Sequence, residues 1–193
     1  MNIIEIFTKS LFLIISFDSD LWEIIILSLY VSISALIIAS ILGLLIGYYI
    51  ALKKFLFKSF ILIVLNSLMG IPPVVVGLIV YFMFASGGPF GVMQLLYTPT
   101  AMIIAQVIII FPIVTSISHE IFDQNWREYK DQLRSINMPF FGVAFIITKH
   151  SYFLVITALL SAFGRAISEV GAVMIVGGNI DHFTRVMTTA ISL

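Results

Sequence analysis

Residues 59–119 read SFILIVLNSLMGIPPVVVGLIVYFMFASGGPFGVMQLLYTPTAMIIAQVIIIFPIVTSISH, without a single Asp, Glu, Lys or Arg. A surface helix of a soluble domain carries a polar face toward water, and nothing here supplies one. A membrane-crossing helix needs about 20 mostly apolar residues, so the run holds two spans and a turn. Ser86-Gly87-Gly88-Pro89 and Thr98-Pro99 are backbone breakers that place the turn between them. The spacing predicts spans over 59–85 and 99–119. On the N-terminal side, Ile24 to Leu52 is again free of charge and predicts a first span. On the C-terminal side, a fourth apolar run covers 151–176. The segment from Ile3 to Phe17 is shorter and carries Glu5 and Lys9. It reads as an interfacial helix within residues 1–20, with a short span as the alternative. Residues 21–193 then form one domain.

Composition agrees. Apolar residues make up 61% of the 193 and charged residues 10%, against about 45–50% and about 25% in soluble domains. That excludes an ordinary soluble protein, and it excludes disorder, which needs low hydrophobicity and high net charge. Formal net charge is zero, so nothing points to a nucleic-acid partner. The absence of cysteine removes disulfides, thiolate metal sites and thiol nucleophiles.

Charge sets the expected orientation. Lys53, Lys54 and Lys58 follow the first span, and Arg127, Lys130, Arg134 and Lys149 follow the third. The 85–98 loop has no charge. Positive loops stay in the cytoplasm. The 53–58 and 120–150 loops are therefore expected inside a multi-pass cytoplasmic membrane protein, with the 85–98 loop and both ends outside.

Three features break the pattern of plain spans. Gly70-Ile71-Pro72-Pro73 to Gly77 interrupts the second span with two prolines, which remove two backbone donors. Freed carbonyls at membrane depth must be satisfied by protein or by a wet cavity. The segment is a pathway-lining break or a structural kink. In the fourth run, Arg165 and Glu169 stand four residues apart and can share a helix face. Charge at the bilayer centre costs about 2.5–3.5 kcal/mol per residue on insertion scales, so the pair is expected to face protein or a pore. It is a gate, an anion guide or a structural ion pair. Small residues accompany it: Ala158, Ala162 and Ala172 on its stripe, and Ser161, Gly164, Ser168 and Gly171 on the next. The opposite side, with Leu160, Phe163, Ile167, Val170 and Met174, is bulky. Gly177-Gly178-Asn179 then ends the helix, as a cap with a turn or as an outer gate.

The 120–150 stretch is the long polar one. Phe122, Trp126, Tyr129, Leu133 and Ile136 form one apolar helix face. Asn137-Met138-Pro139 stops that helix, and Phe140, Phe141, Ala144 and Phe145 open a second. The aromatic surface is covered by a partner protein or by the bundle and headgroups. No phosphate-binding G-x-x-x-x-G-K-[ST] loop and no H-E-x-x-H motif occurs, and His119, His150 and His182 are scattered. Neither a catalytic nor a metal site is expected, and a transport component is the better class.

At Ala162-Phe163-Gly164-Arg165-Ala166-Ile167-Ser168-Glu169-Val170-Gly171-Ala172-Val173 the sequence resembles the permease subunits of oxyanion-importing ABC transporters, the molybdate, tungstate and sulfate group. The preceding loop is similar to that family's E-A-A-x-x-x-G coupling loop, with Asp131 for the Glu, Gln132 and Leu133 for the alanines, Asn137 for the Gly, and His150 at the usual proline. Gly164 to Ile180, followed by Thr184 to Ile191, looks most like the tungstate branch; the relatives continue into a final span beyond Thr189. The resemblance implies an all-α membrane protein with the type I importer fold, four to five membrane helices here, and a homodimer in the lipid bilayer. Two ATPase subunits would carry ATP and Mg, with no cofactor in this chain, and an extracytoplasmic oxyanion-binding protein would deliver the substrate. Trp126, Asp131, Asn137 and Pro139 would lie in the coupling loop. Arg165, Glu169, Gly171, Gly177, Gly178 and Asn179 would line the pore or gate, and Gly70, Pro72, Pro73 and Gly77 the helix break. A molybdate or sulfate permease, and a self-contained secondary transporter or channel, are the alternatives.

Overall fold

The computed structural model describes residues 18–192, together with Thr8, Phe12 and residues 14–16. The expected N-terminal interfacial helix therefore falls mostly outside the described residues.

Among the described residues eight α-helices follow one another: α1 Ser19–Leu52, α2 Lys58–Met69, α3 Pro73–Phe84, α4 Pro99–Ser135, α5 Phe140–His150, α6 Tyr152–Ile167, α7 Gly171–Gly177 and α8 Met187–Ile191. A 3-10 turn at Gly91–Met93 lies between α3 and α4. No strand occurs among the described residues. Helices α1 and α4 are each long and apolar enough to cross a membrane. The pairs α2–α3 and α5–α6 each have the composition of a further span, bent by 100° and 80°.

Local chemistry explains most of the boundaries. Asp18 caps α1, its carboxylate accepting from Leu21 N–H at 3.1 Å. Thr98 caps α4, with Pro99 in the first turn, where no backbone donor is missed. Pro72 caps and Pro73 begins α3, so the two prolines stand where a helix starts, not where one continues. Asn137 adopts φ 48°, a left-handed conformation that Asn tolerates, and turns the chain from α4 into α5.

The bundle is assembled around α1 and α4. Along α1, Ser28, Ser32, Ala35, Ala39, Gly43 and Gly47 are all buried. A Cβ on Gly43 would stand 2.8 Å from Val114 Cγ1, and one on Gly47 would stand 2.9 Å from the Thr115 carbonyl. Small residues let the two backbones approach, the usual device where lipid removes the hydrophobic incentive to associate. The other face of α1 is apolar and exposed, with Ile26, Ile33, Ile37, Ile41 and Leu45. That inversion suits a bilayer solvent.

Two apolar clusters result. One joins α1, α3, α4, α6 and α7 around Val80, Met102, Ile110 and Val173. The other joins α1, α4, α5 and α6 around Tyr48, Phe122, Leu133 and Ile147. Leu44 and Leu159 border both.

Two expectations need revision. The third span does not stop near 119; α4 continues without a break to Ser135, 37 residues in all. At about 1.5 Å per residue that is ~55 Å, longer than the ~30 Å hydrocarbon layer, so one rod carries both a span and half of the polar loop. The fourth run is not one helix either. It stops at Ile167 and restarts at Gly171.

Candidate functional site

The interruption at 168–170 is held by side chains from two other elements and by its own Glu169. A continuous helix would pair the Ala166 carbonyl with the amide four residues on. Here that carbonyl instead receives the Gln106 side-chain amide of α4 at 3.0 Å and the Glu169 backbone amide at 3.3 Å. The Glu169 carboxylate accepts from Ala172 N–H at 3.3 Å, across the break. Thr188 Oγ1 of α8 donates to the Glu169 carbonyl at 2.8 Å. Buried backbone polar groups must be paired, and these contacts do so.

The same interruption separates Arg165 from Glu169. The expected four-residue pair is present only as a contact of 4.0 Å, with Glu169 buried and the Arg165 side chain 43% exposed. The helix ends between them, which turns one inward and leaves the other out. The buried stripe of α6 is Val155, Ala158, Ala162 and Ala166, while Thr157, Ser161, Gly164 and Ser168 are exposed. Leu160, on the bulky side, is also exposed, but Phe163, Ile167, Val170 and Met174 are half-buried.

The structure brings the two predicted features of the core together. A Cβ on Gly77 would stand 2.8 Å from Ala172 Cα, and one on Gly171 would stand 2.6 Å from Val74 Cγ2. Helices α3 and α7, each following a break, thus meet backbone to backbone. A cavity of about 350 Å³ lies beside them, lined by Leu68, Met69 and Ile71 of the first break, Ile109 and Pro112 of α4, and Arg165. Its wall is almost wholly apolar, and Arg165 is the one charged side chain on it.

Gly177, Gly178 and Asn179 form a packed cap. Gly178 has φ 73°, and a Cβ there would meet the Tyr97 ring at 2.7 Å. Thr184 Oγ1 donates to the Gly177 carbonyl at 2.6 Å, and Tyr97 N–H donates to the Val176 carbonyl at 2.9 Å. Asn179 follows with φ 50°. At the same end His182 Nδ1 lies 2.9 Å from Glu23 Oε2, tying the 178–186 loop to α1. The hydrogen bond to Glu23, with the charges of Asp181, Glu23 and Asp20, raises the His182 pKa above its ordinary value.

The predicted coupling residues lie apart from this region and divide into two groups. Trp126 packs against the second apolar cluster, with the Arg134 guanidinium 5.6 Å from its ring. Phe122 and Leu133 are buried in that cluster, with Tyr129 beside it. The aromatic face of α4 is therefore covered by α1 and α5 of the same chain. Tyr48 fixes the junction: its ring meets Phe122 and Phe140 edge-on, and its hydroxyl donates to the Phe140 carbonyl at 2.6 Å. Asp131, Ile136, Asn137, Pro139, Phe141 and Phe145 remain exposed.

Gln106, Thr188, Thr184 and Tyr48 were not singled out in the sequence. Gln106 alone left a signal, as the one amide side chain between Pro99 and His119.

A helical bundle with membrane-length helices, a buried polar joint and a half-exposed cation on an apolar cavity is the build of a multi-pass membrane protein. Residues 39–192 match the family described as binding-protein-dependent transport system inner membrane component, and the chain belongs to it. The architecture is that of a type I ABC importer membrane domain. The tungstate uptake system permease protein TupB of Peptoclostridium acidaminophilum is 39% identical over 191 residues, covering 99% of this chain and 84% of that protein. A probable anion ABC transporter permease protein of Haloferax volcanii is 39% identical over 171 residues, 86% of this chain and 74% of that one. The TupB of Campylobacter jejuni is 32% identical over 187 residues, 97% of this chain and 78% of that one. These relatives are permeases, so the chain is a transport subunit and not itself an enzyme.

Proposed function

We propose that this chain is the permease subunit of an ATP-driven importer that moves tungstate inward across the cytoplasmic membrane. One observation carries the substrate: 39% identity to a tungstate uptake permease over 99% of the chain. Molybdate and sulfate, dianions of similar shape, are the competing substrates. Two copies of the chain form the pathway, an extracytoplasmic binding protein delivers the anion, and two ATPase subunits holding ATP and Mg supply the free energy.

The excess of Lys and Arg in the 53–58 and 120–150 segments supports placing them in the cytoplasm. The ATPase contact is assigned to the turn at Asp131, Asn137 and Pro139. Exposed Ile136, Phe141 and Phe145 beside that turn support this assignment. Trp126 serves the loop from inside, by packing. The gate is assigned to the joint at Arg165, Glu169 and Gly171, with Gly177 to Asn179 at its outer end and the Gly70–Gly77 break as its fixed wall. At 4.0 Å from Glu169, Arg165 keeps part of its field, which lowers the cost of bringing a dianion to membrane depth.

The test is purification from native membranes in mild detergent with mass spectrometry of the associated proteins, paired with uptake of labelled tungstate, molybdate and sulfate. A co-purifying P-loop ATPase and ATP-dependent tungstate uptake are expected. Anion flux through this chain with no ATPase present would overturn the reading. Asp131→Trp, at an exposed position, is expected to abolish uptake while the chain stays folded; unchanged uptake would remove the coupling assignment.

A further inference from the structure

Gln106 has an unusual environment for a side chain in an apolar helix. It is 4% exposed, and its Nε2 is committed to the Ala166 carbonyl, which only accepts. Its Oε1 therefore points away from that bond, and it is buried with no hydrogen-bond partner. An orphaned acceptor in a low-dielectric interior is costly. Beside it lies a chamber of about 10 Å³, bordered by Gln106, Glu169, Ser28, Ser32 and Thr188. A cavity needs about 10–15 Å³ open to the centre of a water molecule in order to hold one. The chamber is thus large enough for one water and too small for a polyatomic anion. Most of its polar atoms are already engaged. Ser28 Oγ donates to the Ile24 carbonyl and accepts from Met187 N–H, and Thr188 Oγ1 donates to the Glu169 carbonyl. Gln106 Oε1 and the Ser32 hydroxyl remain, together with the acceptor capacity of the Glu169 carboxylate that Ala172 N–H does not use.

We infer that this chamber is the site of one internal water molecule, and that Gln106 is the positioning residue that sets the joint between α6 and α7. The water donates to Gln106 Oε1 and to the Glu169 carboxylate and accepts from the Ser32 hydroxyl. Gln106 thereby grips the end of α6 through the Ala166 carbonyl directly, and the interruption itself through the water to Glu169. The inference rests on the gate assignment above for its functional consequence, but not for its geometry.

The experiment uses the full chain in its assembled complex. Gln106→Leu keeps the volume and removes both polar atoms. Backbone hydrogen exchange over residues 164–176, read by mass spectrometry, is expected to quicken about tenfold, because the joint then opens at the cost of one fewer buried hydrogen bond. Ser32→Ala removes one partner of the water and leaves the Ala166 bond in place; it is expected to quicken exchange about threefold, and it keeps the test open should the Leu variant not fold. Labelled-tungstate uptake by Gln106→Leu is expected to lose Vmax with KM unchanged, the signature of a gate step and not of delivery. Exchange in both variants equal to the parent would overturn the positioning role. An experimental map that resolves ordered water and leaves the chamber empty would overturn the water site. If the parent chain takes up no oxyanion, the functional reading fails while the exchange result still decides the role of Gln106.

Discussion

The two breaks that meet in the core are built on opposite principles. At Gly70–Pro73 the interruption is covalent. Proline lacks a donor and clashes with a preceding turn, so α2 ends at Met69 and α3 starts at Pro73 whatever surrounds them. At 168–170 nothing in the backbone forbids a helix. Ser168, Glu169 and Val170 could continue one, and the interruption persists because Gln106, the Glu169 carboxylate and Thr188 pair the groups it frees. A break written into the chain is rigid against distant substitutions. A break held by tertiary hydrogen bonds responds to them, which suits a part that moves during transport.

The contact between the breaks should show the largest effect. Gly77→Val places a Cβ 2.8 Å from a backbone atom of Ala172, which cannot rotate away. A loss of about 2–3 kcal/mol is expected from overpacking, read as a lowered unfolding temperature in detergent. A normal melting curve would mean that α3 and α7 do not approach so closely.

The tertiary break should next prove sensitive from a distance. Thr188→Val removes the donor to the Glu169 carbonyl and should cost about 1 kcal/mol, with faster hydrogen exchange at 168–172 and none at 70–74. Equal protection loss at both breaks would erase the distinction drawn between them. The covalent break should be the more tolerant. Pro72→Ala should cost only about 0.5–1 kcal/mol, chiefly by loosening the unfolded chain, because Pro73 still terminates the preceding helix. Thermal unfolding beside the Thr188 variant ranks the two.

The smallest effect is expected at the outer cap. The Glu23 partner raises the His182 pKa, so the stabilisation from this contact is fully present below the ordinary histidine value of about 6.5. It is lost as pH rises through the raised folded-state value. The parent protein should lose a little melting temperature over that rise, and His182→Ala should be flat across it. A slope shared by both would show that the contact does not hold the loop.

The cytoplasmic side shows how far sequence pattern reaches. The 4-3-4-3 spacing from Phe122 to Ile136 correctly gave an amphipathic helix, and Asn137-Met138-Pro139 its end. It could not say what covers the apolar face. The bundle itself covers it, through Tyr48, Val143 and Ile147, while Ile136, Phe141 and Phe145 are the most exposed apolar side chains of the region. Nor did spacing reveal that the span and this helix are one 37-residue rod, because a polar loop and a helix projecting from a membrane have the same composition.

By itself the sequence determined the membrane class, where the apolar runs begin, the proline break and the helix stop at the paired glycines. These follow from local terms: transfer of apolar side chains out of water, the missing proline donor, and the backbone freedom of glycine. Only the tertiary structure decided that the fourth run is interrupted, that Glu169 is buried while Arg165 is half exposed, and that Gln106 serves a carbonyl sixty residues away. Each of these depends on which groups a folded neighbour offers to freed backbone atoms, and no periodicity in one segment records the chemistry of another.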